Sequence, residues 1–402
     1  MLSSIGQKLG ARANVETYTE ITFTGQKANE ADRPDGLIDV RIGKRSWRAL
    51  VEAKVGNNEL SVDQIERYRS LAKNHAIDCV ITISNQFTSM PQIHPLPELR
   101  KTRSRVPIYH WSWMFILTQV DLLLGNEIAG NSDQAELLRE LRRFLSHESA
   151  GVKGFSRMPP EWSDLNKLVS SGGKIQIRAP EAMVVIQAWH QETRDLSLIL
   201  SRQTKTTVVE KLSRSHAQDP QQRIKDELSI LNSKSLLTTT LEIPDAASQL
   251  TITADLTRRT IDAGMSLRAP LDKKTTKARL NWLLRQIKSD NVDDLVIKLN
   301  WPGKSASTHF PFRKIMEDIS IANEGKEHLQ ITSFDVFYSR RLGIRFVQQA
   351  NFISELERLV PEFYREIGQD LIAWRRPAPK IGDDSDLVVS SDVSDDRDSS
   401  SA

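Results

Sequence analysis

Hydrophobic and polar positions follow two different periods along this chain, and the switches between them mark its elements. Residues 18–24, 36–43 and 47–55 alternate with the period of two expected of strands, and Gly43-Lys44 supplies a turn between the last two. From Ser61 to Asn74 the period lengthens to that of a helix, with Ile65, Tyr68, Leu71 and Ala72 on adjacent turns. Residues 77–84 (IDCVITIS) and 106–111 (VPIYHW) return to β-branched and aromatic composition and read as two more strands. The most apolar run, 111–124, is broken by Gln119 and Asp121 and is too short to cross a membrane. It reads as a helix covering the sheet. Residues 1–125 are thus predicted to form an α/β unit, a mixed sheet flanked by helices.

Residues 126–170 read as a helical connector. It holds an amphipathic helix over 131–144 (Leu137, Leu138, Leu141, Phe144), a loop at 151–160 and a short helix at 161–169. Beyond the Ser171-Gly172-Gly173 breaker, residues 171–380 predict an α+β domain around an antiparallel sheet. Its strands fall at 174–178, 237–243, 250–256, 261–267, 295–301, 329–338 and 343–348, the last two pairing across Arg340-Arg341. Its helices fall at 182–205, 220–232, 276–288, 312–323 and 351–374, the last broken or kinked at Pro361. Residues 381–402 are rich in Asp and Ser and predict a disordered acidic tail.

A few polar residues inside this pattern carry candidate chemistry. Glu52 and Lys54 sit two apart in a strand that is otherwise apolar (Leu50, Val51, Ala53, Val55), so they share a face. An inward-facing pair is costly unless it is paired or bound to metal; the competing reading is an exposed face with an ordinary Glu and Lys. A hairpin brings Asp35 or Asp39, themselves four apart and on one face, beside that pair. Two carboxylates and an ammonium are the minimum set for metal-assisted phosphodiester hydrolysis. The carboxylates hold Mg²⁺ or Mn²⁺, the metal polarises the phosphate and acidifies a bound water, and the lysine orients that water or offsets charge on the phosphate. Glu16 and Glu20 stand upstream, as a third carboxylate or as solvated surface charges.

Pro34-Asp35 followed by Glu52-Ala53-Lys54 resembles the PD-(D/E)XK nuclease superfamily, and Gln64 with Tyr68 resembles the Gln-x-x-x-Tyr helix of its RecB-like branch. The resemblance covers roughly the first 125 residues, where the order strand, strand, strand, helix, strand is also that of the family. It implies a restriction-endonuclease-like fold and a Mg²⁺-dependent deoxyribonuclease, with Asp35, Glu52 and Lys54 catalytic. Asp35 and Glu52 are the implied metal ligands, with Asp39 as a further candidate, and Gln64 and Tyr68 would hold the DNA strand. Ser61-x-x-Gln64 is also a capping box, and Tyr68 has the spacing of a core residue, so each has a structural reading as well. The family role would be bacterial defence or repair. The alternative is a non-cleaving nucleic-acid-binding or regulatory protein that keeps the fold.

Charge sharpens the partner class. The chain is +3 overall, but residues 382–402 hold seven aspartates and one arginine, a net of −6, so the body is +9. A basic body suits a polyanion, here DNA. Two clusters concentrate the charge: Lys44, Arg45 and Arg48 around Trp47, and Arg100, Lys101, Arg103 and Arg105 before the last core strand. Trp47 either stacks on a base or belongs to the core. The single cysteine, Cys79, excludes an internal disulfide and a cysteine-built zinc site. With no apolar signal core or membrane span, a cytoplasmic protein is expected. The C-terminal α+β domain is expected to serve target choice, homodimerisation or a partner protein.

Overall fold

The computed structural model describes residues 1–23, 33–56, 58–100, 104–126 and 132–376. The expectations for Lys101, Arg103 and the acidic tail lie outside the described residues. The chain is mixed α/β and contains two sheets, one of five strands and one of seven.

The five-stranded sheet keeps chain order: β1 (Asn14–Thr19), β2 (Gly36–Ile42), β3 (Arg45–Ala53), β4 (Cys79–Ser84) and β5 (Ile108–Ser112). β1, β2 and β3 pair antiparallel, while β3, β4 and β5 pair parallel. Gly43 adopts φ 61° in the β2–β3 turn, a left-handed conformation that glycine takes without steric cost. A parallel pair needs a crossover, and α1 (Val62–Asn74) supplies it between β3 and β4. Alternation then sorts the two faces. Leu50, Val80 and Ile108 meet Ile65, Tyr68, Leu71 and Ala72 of α1 on one side. Ala49, Cys79, Ile81 and Trp111 meet Ile5 and Phe115 on the other. The short α2 (Pro97–Arg100) precedes β5, and α3 (Trp113–Gly125), which carries Phe115, follows it.

β1 begins and ends earlier than the predicted 18–24. Regular pairing ends where its partner β2 starts, at Gly36 opposite Thr19, although the N–H groups of Glu20 and Ile21 still donate to the carbonyls of Asp35 (2.9 Å) and Pro34 (3.3 Å). Glu20 turns the chain with φ 52°, and the apolar Phe23 that suggested a longer strand stacks on the His75 ring at 4.2 Å instead.

The middle of the chain is helical: α4 (Ser132–Ser146), α5 (Glu161–Ser170) and α6 (Pro180–Thr204), then, after the two-residue β6 (Val209–Glu210), α7 (Arg214–Gln218) and α8 (Pro220–Lys234). β7 (Leu236–Glu242), β8 (Leu250–Asp255) and β9 (Thr260–Arg268) form the expected meander. After α9 (Thr276–Leu284) come β10 (Leu295–Asn300), β11 (Thr308–Pro311), α10 (Phe312–Glu317), β12 (Ser333–Arg341) and α11 (Gln349–Glu366). The second sheet runs β11-β10-β12-β9-β8-β7-β6, with every pair antiparallel. Residues 174–178 form no strand, and the expected 329–338/343–348 hairpin is absent. Both edges of β12 are already taken, by β9 and β10, and the chain turns at Gly343 into a 3-10 helix. α11 is continuous through Pro361 and ends at Glu366.

α6 touches both cores. Its Trp189, Leu196 and Leu200 pack with Leu356 and Leu359 of α11 against the second sheet, while its Leu198 joins Ile5, Trp111 and Phe115 on the first. It also buries charge. Glu192 is fully buried and among the described residues neither of its carboxylate oxygens has a hydrogen-bond partner. Burial, then the nearby Glu357 and Asp195, pushes Glu192 well above the ordinary carboxylate range. Burial lifts Asp195 to about 6, with Phe155 N–H, Arg202 and Arg194 opposing, and lifts Glu357 on α11 to about 7, with Asp195 adding and Arg202 opposing.

A raised carboxylate pKa contributes stability that is complete below the unfolded value, about 4, and is lost as pH rises through the folded value. The thermal midpoint should therefore decline between pH 5 and pH 8 in this region of the fold. Glu357→Gln should leave the pH 5 midpoint near that of the parent and raise the pH 8 midpoint by several degrees. Calorimetric melts at the two pH values check this; an equal shift at both would show that ionisation is not responsible.

Candidate active site

The antiparallel β2–β3 register ends at Gly36 opposite Val51, which leaves Asp35 at the level of Glu52. Asp35 Oδ2 accepts the Ala53 N–H at 2.8 Å, fixing that carboxylate at the end of β3. Lys54 lies just past the strand, held by its own backbone: its N–H donates to Ile83 O (2.8 Å) and its carbonyl accepts Trp113 Nε1–H (2.8 Å). Asp35, Glu52 and Lys54 are thus brought to one corner of the sheet.

Glu52 is the buried centre of that corner, 1% exposed. Its Oε1 accepts Lys54 Nζ at 2.5 Å and Gln64 Nε2 at 2.9 Å. Its Oε2 is buried and among the described residues has no hydrogen-bond partner, while the nearby Tyr68 hydroxyl favours the charged carboxylate. Burial raises the Glu52 pKa above the ordinary range; hydrogen bonding to Lys54 opposes the rise and the charge on Asp35 adds to it.

α1 presses its first turns onto this carboxylate. Ser61 caps the helix, its Oγ accepting Gln64 N–H at 3.4 Å. The return half of the capping box is not made, because the Gln64 side chain turns to Glu52 and to the Tyr68 hydroxyl (3.1 Å). Tyr68 is 1% exposed and donates its hydroxyl to Arg33 O at 2.9 Å. Burial first, then Gln64 opposing and the charges of Glu52 and Asp35 adding, leaves its pKa at about 12. In this structure Tyr68 is a buried brace between Gln64 and the segment leading into Asp35.

Other expected residues fall elsewhere. Asp39 is buried on β2 opposite Arg48, bonded by Arg41 (2.8 Å) and Ser46 (3.3 Å). Four residues from Asp35 along a strand is about 13 Å, beyond the reach of a shared ion whose ligands bind at 2.0–2.6 Å. Lys44 and Arg45 are exposed at the hairpin tip, about 23 Å of strand from Glu52. Arg48 is engaged by the carbonyls of His75 and Ala76 at the end of α1 (3.1 and 3.0 Å). Trp47 packs with the core of the opposite face. Arg105 is exposed in the loop before β5. Glu16 pairs with Arg41 and Glu20 with Arg33.

Two features had no sequence signal. Trp113 pins the Lys54 carbonyl from the far end of the sheet. In the β3–β4–β5 register Glu52 neighbours Thr82, which neighbours His110, and Thr82 Oγ1 lies 2.9 Å from His110 Nδ1 and 3.0 Å from His94 Nε2. Burial pushes His94 down to about 3 and His110 to about 4, so both stay neutral and act as structural polar links.

Asp35 and Glu52 are the two carboxylates brought to this corner that could share a divalent cation; among the described residues no three His, Cys, Asp or Glu side chains gather for that purpose. The unpartnered Glu52 Oε2 fits such an ion, since a buried carboxylate oxygen without a donor is expensive and a cation would satisfy it. The set is all oxygen, which suits Mg²⁺ or Mn²⁺. Among the described residues no helix is long and apolar enough to cross a membrane.

Tyr68→Phe removes one donated and one accepted bond inside the fold, so it should cost about 1–2 kcal/mol of stability. Nucleic-acid affinity should stay within twofold of the parent. Denaturant unfolding and a filter-binding titration separate the outcomes; lost affinity at unchanged stability would restore a direct contact.

Set against family models, curated proteins and solved structures, the chain has no match, and its chemistry is read from the residues themselves.

Proposed function

We propose that this chain is a divalent-metal-dependent nuclease of the PD-(D/E)XK type, hydrolysing phosphodiester bonds of DNA at a restriction-endonuclease-like sheet. The observation that carries this reading is the Glu52 carboxylate. It is buried beside Asp35, with one oxygen held by Lys54 and Gln64 and the other left without a donor. A surface Glu and Lys on an ordinary sheet face would not be withdrawn from water in this way. A role in defence against foreign DNA or in repair goes with the family resemblance.

Asp35 and Glu52 would hold the ion, Mg²⁺ or Mn²⁺, which supplies Lewis acidity and an acidified water when bound. The chain's own residues do the remainder. Gln64 fixes the rotation of the Glu52 carboxylate, and Tyr68 fixes Gln64. The Ala53 N–H orients Asp35. Lys54, a quarter exposed, brings an ammonium to the same corner, where it can orient the attacking water and offset charge building on the phosphate. A cation beside Glu52 also favours its ionised form against the cost of burial.

Linear, circular and single-stranded DNA incubated with and without Mg²⁺ or Mn²⁺ tests the reading. Cleavage should require the cation, stop with a chelator, and fall roughly 100-fold or more in Lys54→Ala. Because the Glu52 pKa is raised, its contribution to stability is complete below the ordinary carboxylate range and lost as pH rises through the folded value. Glu52→Gln should be inactive with Mg²⁺ or Mn²⁺ present and, without metal, at least as stable as the parent at pH 8. Full cleavage by both variants would end the assignment of this site.

A further inference from the structure

The seven-stranded sheet gives one face to its core, and α6, α8 and α11 cover that face. The opposite face is open. Over its middle strands lies a hollow of about 530 Å³, within the size range of small-ligand sites. A solvated antiparallel face needs only scattered polar side chains. This one is organised in three respects that solvation does not require.

Its floor is aromatic. Phe337 on β12 is the register partner of Gly264 on β9, and a Cβ at Gly264 would collide with the Cβ of Phe337. The glycine lets Phe337 settle against the strand, half-buried, beside its other register partner Val296 on a largely polar face. Its lining carries cations: Lys298 on β10, its register partner His309 on β11, and Arg258 from the β8–β9 turn. Burial, then Lys298 and Arg258, holds His309 below its ordinary pKa, with Asp335 and Asp262 opposing. The two carboxylates differ. Asp335 is saturated by Ser266 (2.6 Å), Lys298 (3.1 Å) and Asn300 (3.2 Å). Asp262 accepts only Ser339, at Oδ1 (2.6 Å), and among the described residues no hydrogen bond engages its Oδ2.

We infer that this hollow binds a nucleoside phosphate, with the base on Phe337, the phosphate on Arg258, Lys298 and His309, and an amino or hydroxyl group donating to Asp262. Cations recognise the phosphate, a flat apolar surface recognises the ring, and an open carboxylate oxygen recognises a donor on base or sugar. The same chemistry can arrive as a free nucleotide or as a nucleotide within a single strand. The site is separate from Asp35, Glu52 and Lys54.

Calorimetric titration of the full chain without divalent cation tests this. The titrants are the four ribonucleoside triphosphates, inorganic phosphate and a short single-stranded oligonucleotide. At least one nucleotide-bearing titrant should bind with a micromolar Kd, at least tenfold weaker in Arg258→Ala and in Phe337→Leu. Binding of a triphosphate identifies a free nucleotide as the source; binding of the oligonucleotide alone identifies a strand. Both variants alter the open face and spare the core, and a thermal melt checks that each is folded. No binding up to millimolar concentration would overturn the proposal. So would inorganic phosphate binding as tightly as any nucleotide, or affinity unchanged in both variants.

Discussion

A carboxylate withdrawn from water must be matched by donors or give up its charge, and Glu52 is matched on one oxygen only. Much of the N-terminal architecture serves that half-satisfied group. The β2–β3 hairpin sets Asp35 at its level, the crossover helix α1 delivers Gln64 to it, and Tyr68 braces Gln64 against the backbone of Arg33. Trp113 and Ile83 hold Lys54 where strand pairing has ended. Each of these residues is positioned by another element, so the corner is held around one carboxylate oxygen that has no donor among the described residues. That combination of fixed surroundings and an unmet need is characteristic of a pre-organised binding site.

The second sheet solves a different problem. Its helices lie against one face, and the buried acids of α6 sit where that layer also meets the first sheet. Among the described residues Glu192 has no donor, and Asp195 and Glu357 share its surroundings, so this layer carries carboxylates that keep their protons to higher pH than ordinary ones. The open face, by contrast, places its charges over an aromatic floor. The two faces thus differ in dielectric as well as in polarity, and charged groups behave differently on each.

How much of this could be read from residues alone depended on whether the signal was local. The hairpin at Gly43, the Ser61 cap, the Glu52–Lys54 face and the β7–β9 meander are set by neighbours a few positions apart, and they stand where alternation puts them. β1 stops at Thr19 despite the strand-like Ile21 and Phe23, because Glu20 turns the chain out of the regular ladder. The expected hairpin after β12 failed because both of its edges are claimed by strands far away in sequence. Arg48 shows the same limit: a basic cluster reads as a phosphate site until α1 presents its terminal carbonyls. Tyr68 had two readings, and only the packing of α1 against Glu52 favours one. Trp113, His94 and the open-face hollow depend on contacts across tens of residues, for which spacing carries no signal.

The central claim is that the unpaired Glu52 oxygen and Asp35 together make a cation site. Calorimetric titration of Mn²⁺ into the full chain, alongside Glu52→Gln and Asp35→Asn, measures that directly. Binding with a stoichiometry of about one or two ions per chain, lost or weakened at least tenfold in each variant, is the predicted result. Equal Mn²⁺ binding by the parent and both variants, or none by the parent, would contradict it.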